Sequence, residues 1–118
     1  MSLVARYLEE HGLSTVILGS ARDIVEYCGV PRFLFVDFPL GNPCGQPWDR
    51  EMQADIANTA VNLLATVQQP RTTEVAHHQW TQDPDWRRRY NYVGPENAAQ
   101  LRSIGDARRQ RQAAAKSA

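Results

Sequence analysis

The stretch Pro31-Arg32-Phe33-Leu34-Phe35-Val36-Asp37-Phe38-Pro39-Leu40-Gly41-Asn42-Pro43-Cys44-Gly45-Gln46-Pro47 decides how the chain is read. Residues 33–38 are apolar except for Asp37. A strand apolar on both faces belongs in a sheet covered on both sides, as in parallel α/β folds. The run passes straight into a loop dense in Gly and Pro. In open α/β sheets the carboxyl edge of the strands is where ligands bind. Upstream, Thr15-Val16-Ile17-Leu18 reads as a second short strand, rich in β-branched residues. Between the two, residues 21–28 read as a short helix. Ser20 is placed to cap it, Ile24, Val25 and Cys28 are expected inward, and Gly29 and Pro31 end it. Strand, helix and strand make one βαβ step, with both strands ending at the same sheet edge.

Working outward, residues 2–11 read as a helix. Leu3, Val4, Tyr7 and Leu8 form its apolar stripe, Arg6, Glu9 and Glu10 lie outside it, and Gly12 stops it. Beyond the loop, Asp49 is a strong N-cap and Glu51 complements the first turn of a long helix. Met52, Ile56, Ala60, Leu63, Leu64 and Val67 form the buried stripe of that helix, and Gln68-Gln69-Pro70 closes it. Residues 70–94 are polar yet carry Trp80, Trp86, Tyr90 and Tyr92, and read as an irregular arm that anchors through aromatics. Pro95 opens a last helix, and from Gly105 onward the chain is Arg, Gln and Ala with almost no large apolar side chain. The expected fold class is α/β: a small, partial three-layer Rossmann-like unit with parallel strands over residues 1–69. A largely irregular or helical arm is expected over residues 70–118.

Composition bounds the possibilities. A chain of 118 residues holds one small domain, and 42% hydrophobic with 22% charged residues is ordinary for a soluble one. The formal net charge is zero, so nothing in the balance calls for nucleic acid. No apolar run approaches the roughly 20 residues of a membrane span. The start Met1-Ser2-Leu3-Val4-Ala5-Arg6 lacks a signal-peptide pattern, and a cytoplasmic location is expected. Two clear strands are too few for an independent sheet, where three or more are needed. The sheet is therefore expected to be completed by another subunit or by a second copy of this chain.

The candidate ligand-binding residues are those the βαβ step brings to the carboxyl edge: Ser20, Arg22, Asp37, Gly41, Asn42 and Gly45. The N-terminus of the 21–28 helix faces the same edge, where free N–H groups suit a carboxylate or phosphate. The alternative reading is architectural, with Gly41, Pro43, Gly45 and Pro47 turning a corner and Asn42 satisfying loop backbone groups. Cys28 and Cys44 form neither a Cys-x-x-Cys pair nor a zinc pair, and both are expected as reduced thiols. Cys44 is kept as a candidate redox thiol, and no catalytic residue is assigned. His77 and His78 are adjacent and point apart in any regular element, so no metal site is expected, and no cofactor. Arg87-Arg88-Arg89 beside Trp86 and Tyr90 resembles a nucleic-acid patch, but Asp83 and Asp85 favour a solvated or interface segment. Glycine-rich nucleotide loops and nucleophile elbows are absent from the sequence.

Phe38-Pro39-Leu40-Gly41-Asn42-Pro43-Cys44-Gly45 resembles the strand-loop signature of the B-type component of the glycine/sarcosine/betaine and D-proline reductases, a selenoprotein-related family. The resemblance extends over about residues 3–67, with the loop its most specific part. It implies a small subunit of a reductase-like enzyme, in which this chain completes an α/β domain and contributes a substrate-side loop. A partner chain would then supply the redox Cys or selenocysteine, since the family's redox motif does not occur here. Phe38, Pro39, Gly41, Asn42, Pro43 and Gly45 carry over as a structural or binding loop. The other reading is a homo-oligomeric module that binds a small carboxylate or amine without catalysis.

Overall fold

The strand over Arg32–Phe35, β2, is the middle strand of the sheet, and its alternation explains both layers around it. The computed structural model describes residues 1–117. The chain runs α1 (Ser2–Glu10), β1 (Ile17–Gly19), α2 (Arg22–Cys28), β2, α3 (Arg50–Thr66), β3 (Thr72–Val75), α4 (Trp86–Arg89) and α5 (Ala98–Ser117). Among the described residues three strands form one sheet in the order β1-β2-β3. Both pairings are parallel, with Leu18 beside Leu34, and Phe33 and Phe35 beside Thr73 and Val75. The α/β class expected from the sequence is the class observed.

The third strand corrects one expectation. Residues 70–94 were to be irregular and the sheet unfinished, yet β3 comes from this same chain. Its sequence, Thr72-Thr73-Glu74-Val75, buries none of its residues fully. An edge strand needs only backbone pairing with its neighbour, so apolar alternation is no guide to it. Pairing continues past the strand ends: the Thr72 N–H donates to Pro31 O at 3.1 Å and the Ala76 N–H to Phe35 O at 2.9 Å.

Successive side chains on a strand face opposite sides. Leu34 and Val36, followed by Phe38, meet Ile56, Ala60 and Leu63 of α3 together with Ala76 in one buried cluster. Val16, Leu18, Met52, Val67 and Trp80 pack at its margin. Trp80 thus belongs to the core wall, edge-on to Phe38 at 5.3 Å between ring centroids, and not to the aromatic arm. Asp49 caps α3 as expected, its carboxylate accepting from the Met52 N–H at 3.0 Å. Phe33 and Phe35 face the other way, toward α2. Gly19 lets the Phe33 ring in, because a Cβ there would stand 3.3 Å from Phe33 Cε2.

The α2 side departs from expectation. Ala21, not Ser20, occupies the N-cap, and no side chain caps the helix. Ile24 is exposed instead of inward, and so are Leu3, Val4 and Tyr7 of α1, where Ala5 is the buried residue. What ties α1 down is polar. Glu9 takes an ion pair from Arg32 at 2.8 Å and accepts from both the backbone N–H and the hydroxyl of Thr15. Arg32 also donates to Thr15 O at 3.4 Å.

The chain divides into two units, Met1–Pro84 and the residues from Asp85 onward. In the second, Trp86 meets Tyr90 edge-on at 6.2 Å, and the Arg87 guanidinium lies 4.9 Å from the Trp86 ring. Asn97 braces the turn before α5, its Oδ1 accepting from the Gly94 N–H at 2.8 Å and its Nδ2 donating to Tyr92 O at 3.0 Å.

Candidate functional site

Three parallel strands send three chain segments off the same edge of the sheet. β1 leaves through Gly19-Ser20, β2 through Asp37 and the loop to Pro47, and β3 through Ala76-His77-His78. The first two run side by side, the Val36 N–H donating to Gly19 O at 2.9 Å.

The loop is pinned at both ends and open in the middle. Phe38 and Pro39 are buried at its start, and Gly45 near its end. The Asn42 N–H donates to Pro39 O at 3.0 Å, and Asn42 O accepts from the Gly45 N–H at 3.3 Å. Gly45 has φ 114°, and a Cβ there would lie 3.1 Å from Gln53 Cγ, so both the backbone and the space call for glycine. The Gln46 side-chain amide donates to Trp80 O, and Gln53 Nε2 donates to Gln46 O at 2.6 Å. This clamp joins the loop to α3 and to the segment after β3. Leu40, Gly41 and Cys44 remain exposed between the pinned ends. Trp48, which the sequence reading passed over, stands 96% exposed in left-handed backbone at φ 69°.

The residues expected to bind a ligand are gathered only in part. Ser20 lies at the carboxyl edge, and its hydroxyl oxygen is buried without a hydrogen-bond partner. Asp37 follows β2 and is half-buried. Arg22 is engaged along its own helix, Nε donating to Glu26 Oε1 at 2.9 Å, with the guanidinium 5.7 Å from the Phe35 ring. Gly45 is a packing position, and Asn42 contributes backbone groups to the turn. Cys28 and Cys44 are free thiols.

The segment after β3 holds what the sequence reading missed. His77 and His78 do not point apart: their rings stack with centroids 4.1 Å apart and planes at 35°. They lie beyond the strand, in irregular chain, so strand alternation does not apply to them. Both reach one carboxylate on α3, with His78 Nε2 at 2.7 Å and His77 Nε2 at 3.4 Å from Asp55 Oδ2. One ligand atom from each of Asp55, His77 and His78 falls within 4.8 Å of the others. Asp49, Glu51, Met52, Asp55 and His78 line an adjoining surface cleft of 390 Å³. Imidazole and carboxylate donors in this number suit a divalent transition ion.

Among the described residues no helix is long and apolar enough to cross a membrane. No family model and no solved structure matches the chain. Over 65 residues, 55% of this chain, it is 31% identical to D-proline reductase subunit gamma of Acetoanaerobium sticklandii. The chain spans 27% of the length of that protein. The likeness is a distant relationship to one part of a reductase subunit.

Proposed function

We propose that this chain is a small subunit of a reductase-like enzyme, related to the glycine, betaine, sarcosine and D-proline reductases. The observation that carries this reading is the 31% identity to D-proline reductase subunit gamma. In it the chain supplies a substrate-side wall and takes no part in bond cleavage. The pinned loop presents Gly41 and Asn42 toward a small amine or carboxylate, with Ser20, Arg22, Asp37 and Gly45 behind it. A partner chain bears the redox Cys or selenocysteine. Two features favour assembly with that partner. β1 and β3 are both edge strands, with backbone groups open to further pairing. Leu3, Val4, Tyr7, Ile24 and Tyr27 are apolar and exposed on α1 and α2, and Trp48 is exposed beside the loop. Aromatic residues of this kind are enriched where partners meet.

The test is to isolate the tagged chain from its source cells and measure the native mass by light scattering on a sizing column. The expected result is a hetero-complex containing a chain with a Cys or selenocysteine motif. That complex should cleave one of these amine substrates reductively when given a dithiol. A mass that is a whole multiple of 13.3 kDa, with no second chain, would overturn the reading. It would put in its place the self-assembled binding module, in which amino acids or betaines raise the melting temperature of the lone protein.

A further inference from the structure

We infer that Asp55, His77 and His78 form a binding site for a divalent first-row transition ion. The inference does not depend on the reductase reading. It rests on the convergence of two imidazoles and one carboxylate from segments that only the folded sheet brings together. Asp55 projects from α3, while the two histidines follow β3, and all three offered ligand atoms lie within 4.8 Å of one another.

The spacing is close to what an ion would impose. Zinc holds imidazole nitrogen and carboxylate oxygen at about 2.0–2.2 Å, which at tetrahedral angles separates neighbouring donors by roughly 3.4 Å. His77 Nε2 already stands 3.4 Å from Asp55 Oδ2. His78 Nε2 stands at 2.7 Å, a hydrogen-bond distance, and must retreat by a fraction of an ångström to admit the ion. The side chain of His78 is only 20% exposed, so its ring is held by packing. An ordinary ion pair needs one imidazole on one carboxylate. Here a second imidazole is stacked on the first and turned to the same oxygen, a pattern that a shared cation accounts for.

The surroundings suit a bound cation. The adjoining cleft carries the carboxylates of Asp49 and Glu51, and an Asp49 oxygen is held by the Met52 N–H. Three protein ligands leave at least one coordination position open, as in ligand-binding metal sites and unlike closed structural ones. The cleft that Asp55 and His78 line has room for water or an oxygen of a small carboxylate or carbonyl compound to complete the shell. The three offered ligand atoms are two imidazole nitrogens and a carboxylate oxygen, with no thiolate among them, so borderline ions such as Zn²⁺, Co²⁺ or Ni²⁺ fit better than Cu⁺.

The experiment uses the full chain, stripped with a chelator and titrated with Zn²⁺ by calorimetry and with Co²⁺ by visible absorption. One ion per chain is expected, with d–d bands in the visible and without the sulfur charge-transfer band that Cys28 or Cys44 would contribute. His77→Ala, His78→Ala and Asp55→Ala should each weaken binding by about tenfold or more, while His11→Ala should bind as the parent does. His77 is 72% exposed, so H77A is expected to fold normally, which circular dichroism checks. Zn²⁺ should also raise the melting temperature of the parent chain by more than that of H77A at the same concentration. Absence of saturable binding by the parent would overturn the inference, and so would binding left unchanged in H77A and H78A.

Discussion

The two faces of β2 are finished to different degrees. On one, Leu34 and Val36 are sealed by α3, with Ile56, Ala60 and Leu63 closing over them. On the other, Phe33 and Phe35 meet the short helix α2, and the helices on that side leave large apolar residues in water. Tyr27 is 93% exposed, and Ile24, Leu3, Val4 and Tyr7 are exposed as well. The sealed face is held by burial. The open side carries the ion pair of Arg22 with Glu26 along α2, and α1 is tied by Glu9 to Thr15 and to Arg32 at the start of β2. The difference teaches that stability and association are divided between the faces. One side folds the chain, and the other side leaves apolar surface in water.

The sharpest way to break this comparison is to truncate one residue on each face. Leu34→Ala removes a side chain with no exposure from the α3 side and should cost about 2–5 kcal/mol, much of the stability of a small domain. Tyr27→Ser on the open side should change stability by no more than about 0.5 kcal/mol. Urea denaturation reads both, the midpoints shifting with little change in slope. Equal costs at the two positions would end the distinction.

The polar ties come next. Glu9→Ala takes the carboxylate from an Arg32 side chain that is itself only 16% exposed and whose Nε already lacks a partner. Leaving that cation half-buried should cost about 1.5–3 kcal/mol, and replacing both residues by apolar ones should cost less than the single change. A double-mutant cycle in urea checks it, and additive costs would show that the pair does not hold α1. Gly45→Ala, on the sealed side, forces a Cβ against Gln53 at φ 114° and should cost about 1–2 kcal/mol. Crystallography of G45A should then show the Gln46 and Gln53 contacts displaced. An unchanged midpoint would mean that the loop yields without strain.

Legibility in the sequence follows the same division. The α3 side could be read residue by residue, because burial writes itself as apolar spacing: the stripe from Met52 to Val67 and the Asp49 cap lie where their periodicity puts them. The loop from Phe38 to Gly45 was legible as a turn-rich loop leaving β2, since Gly and Pro mark turns whatever surrounds them. β3 was not, because an edge strand is recruited by backbone pairing and Thr72-Thr73-Glu74-Val75 carries no apolar alternation. With β3 unread, the meeting of His77 and His78 with Asp55 was beyond reach, as was the place of Trp80 against Phe38. On the open side the apolar spacing of Leu3, Val4, Tyr7 and Ile24 was seen, but it does not mark burial within this chain. Spacing reports that a face is apolar and not which molecule covers it.

The smallest effect tests whether the open face is held by charge at all. Glu26 on α2 is kept below the usual carboxylate range, first by its hydrogen bond from Arg22 and then by one from Thr73 on β3, against a smaller opposing effect of burial. A carboxyl whose pKa is lower folded than unfolded adds stability above the unfolded value, about 4.3 for Glu. That stability is lost as the pH falls through the folded value. Glu26→Gln should therefore lose a little stability at neutral pH and show a flatter acid limb below about pH 4.3. Carboxyl-resolved NMR titration of the parent should place Glu26 below ordinary glutamates, and Thr73→Val should bring it part of the way back. The Arg22 contribution should shrink in about 1 M salt, where the Debye length falls to roughly 3 Å, because Arg22 and Glu26 both lie open to water. A Glu26 that titrates like a free glutamate would remove the Thr73 tie between α2 and β3 and leave that face to the packing of Phe33 and Phe35 against α2.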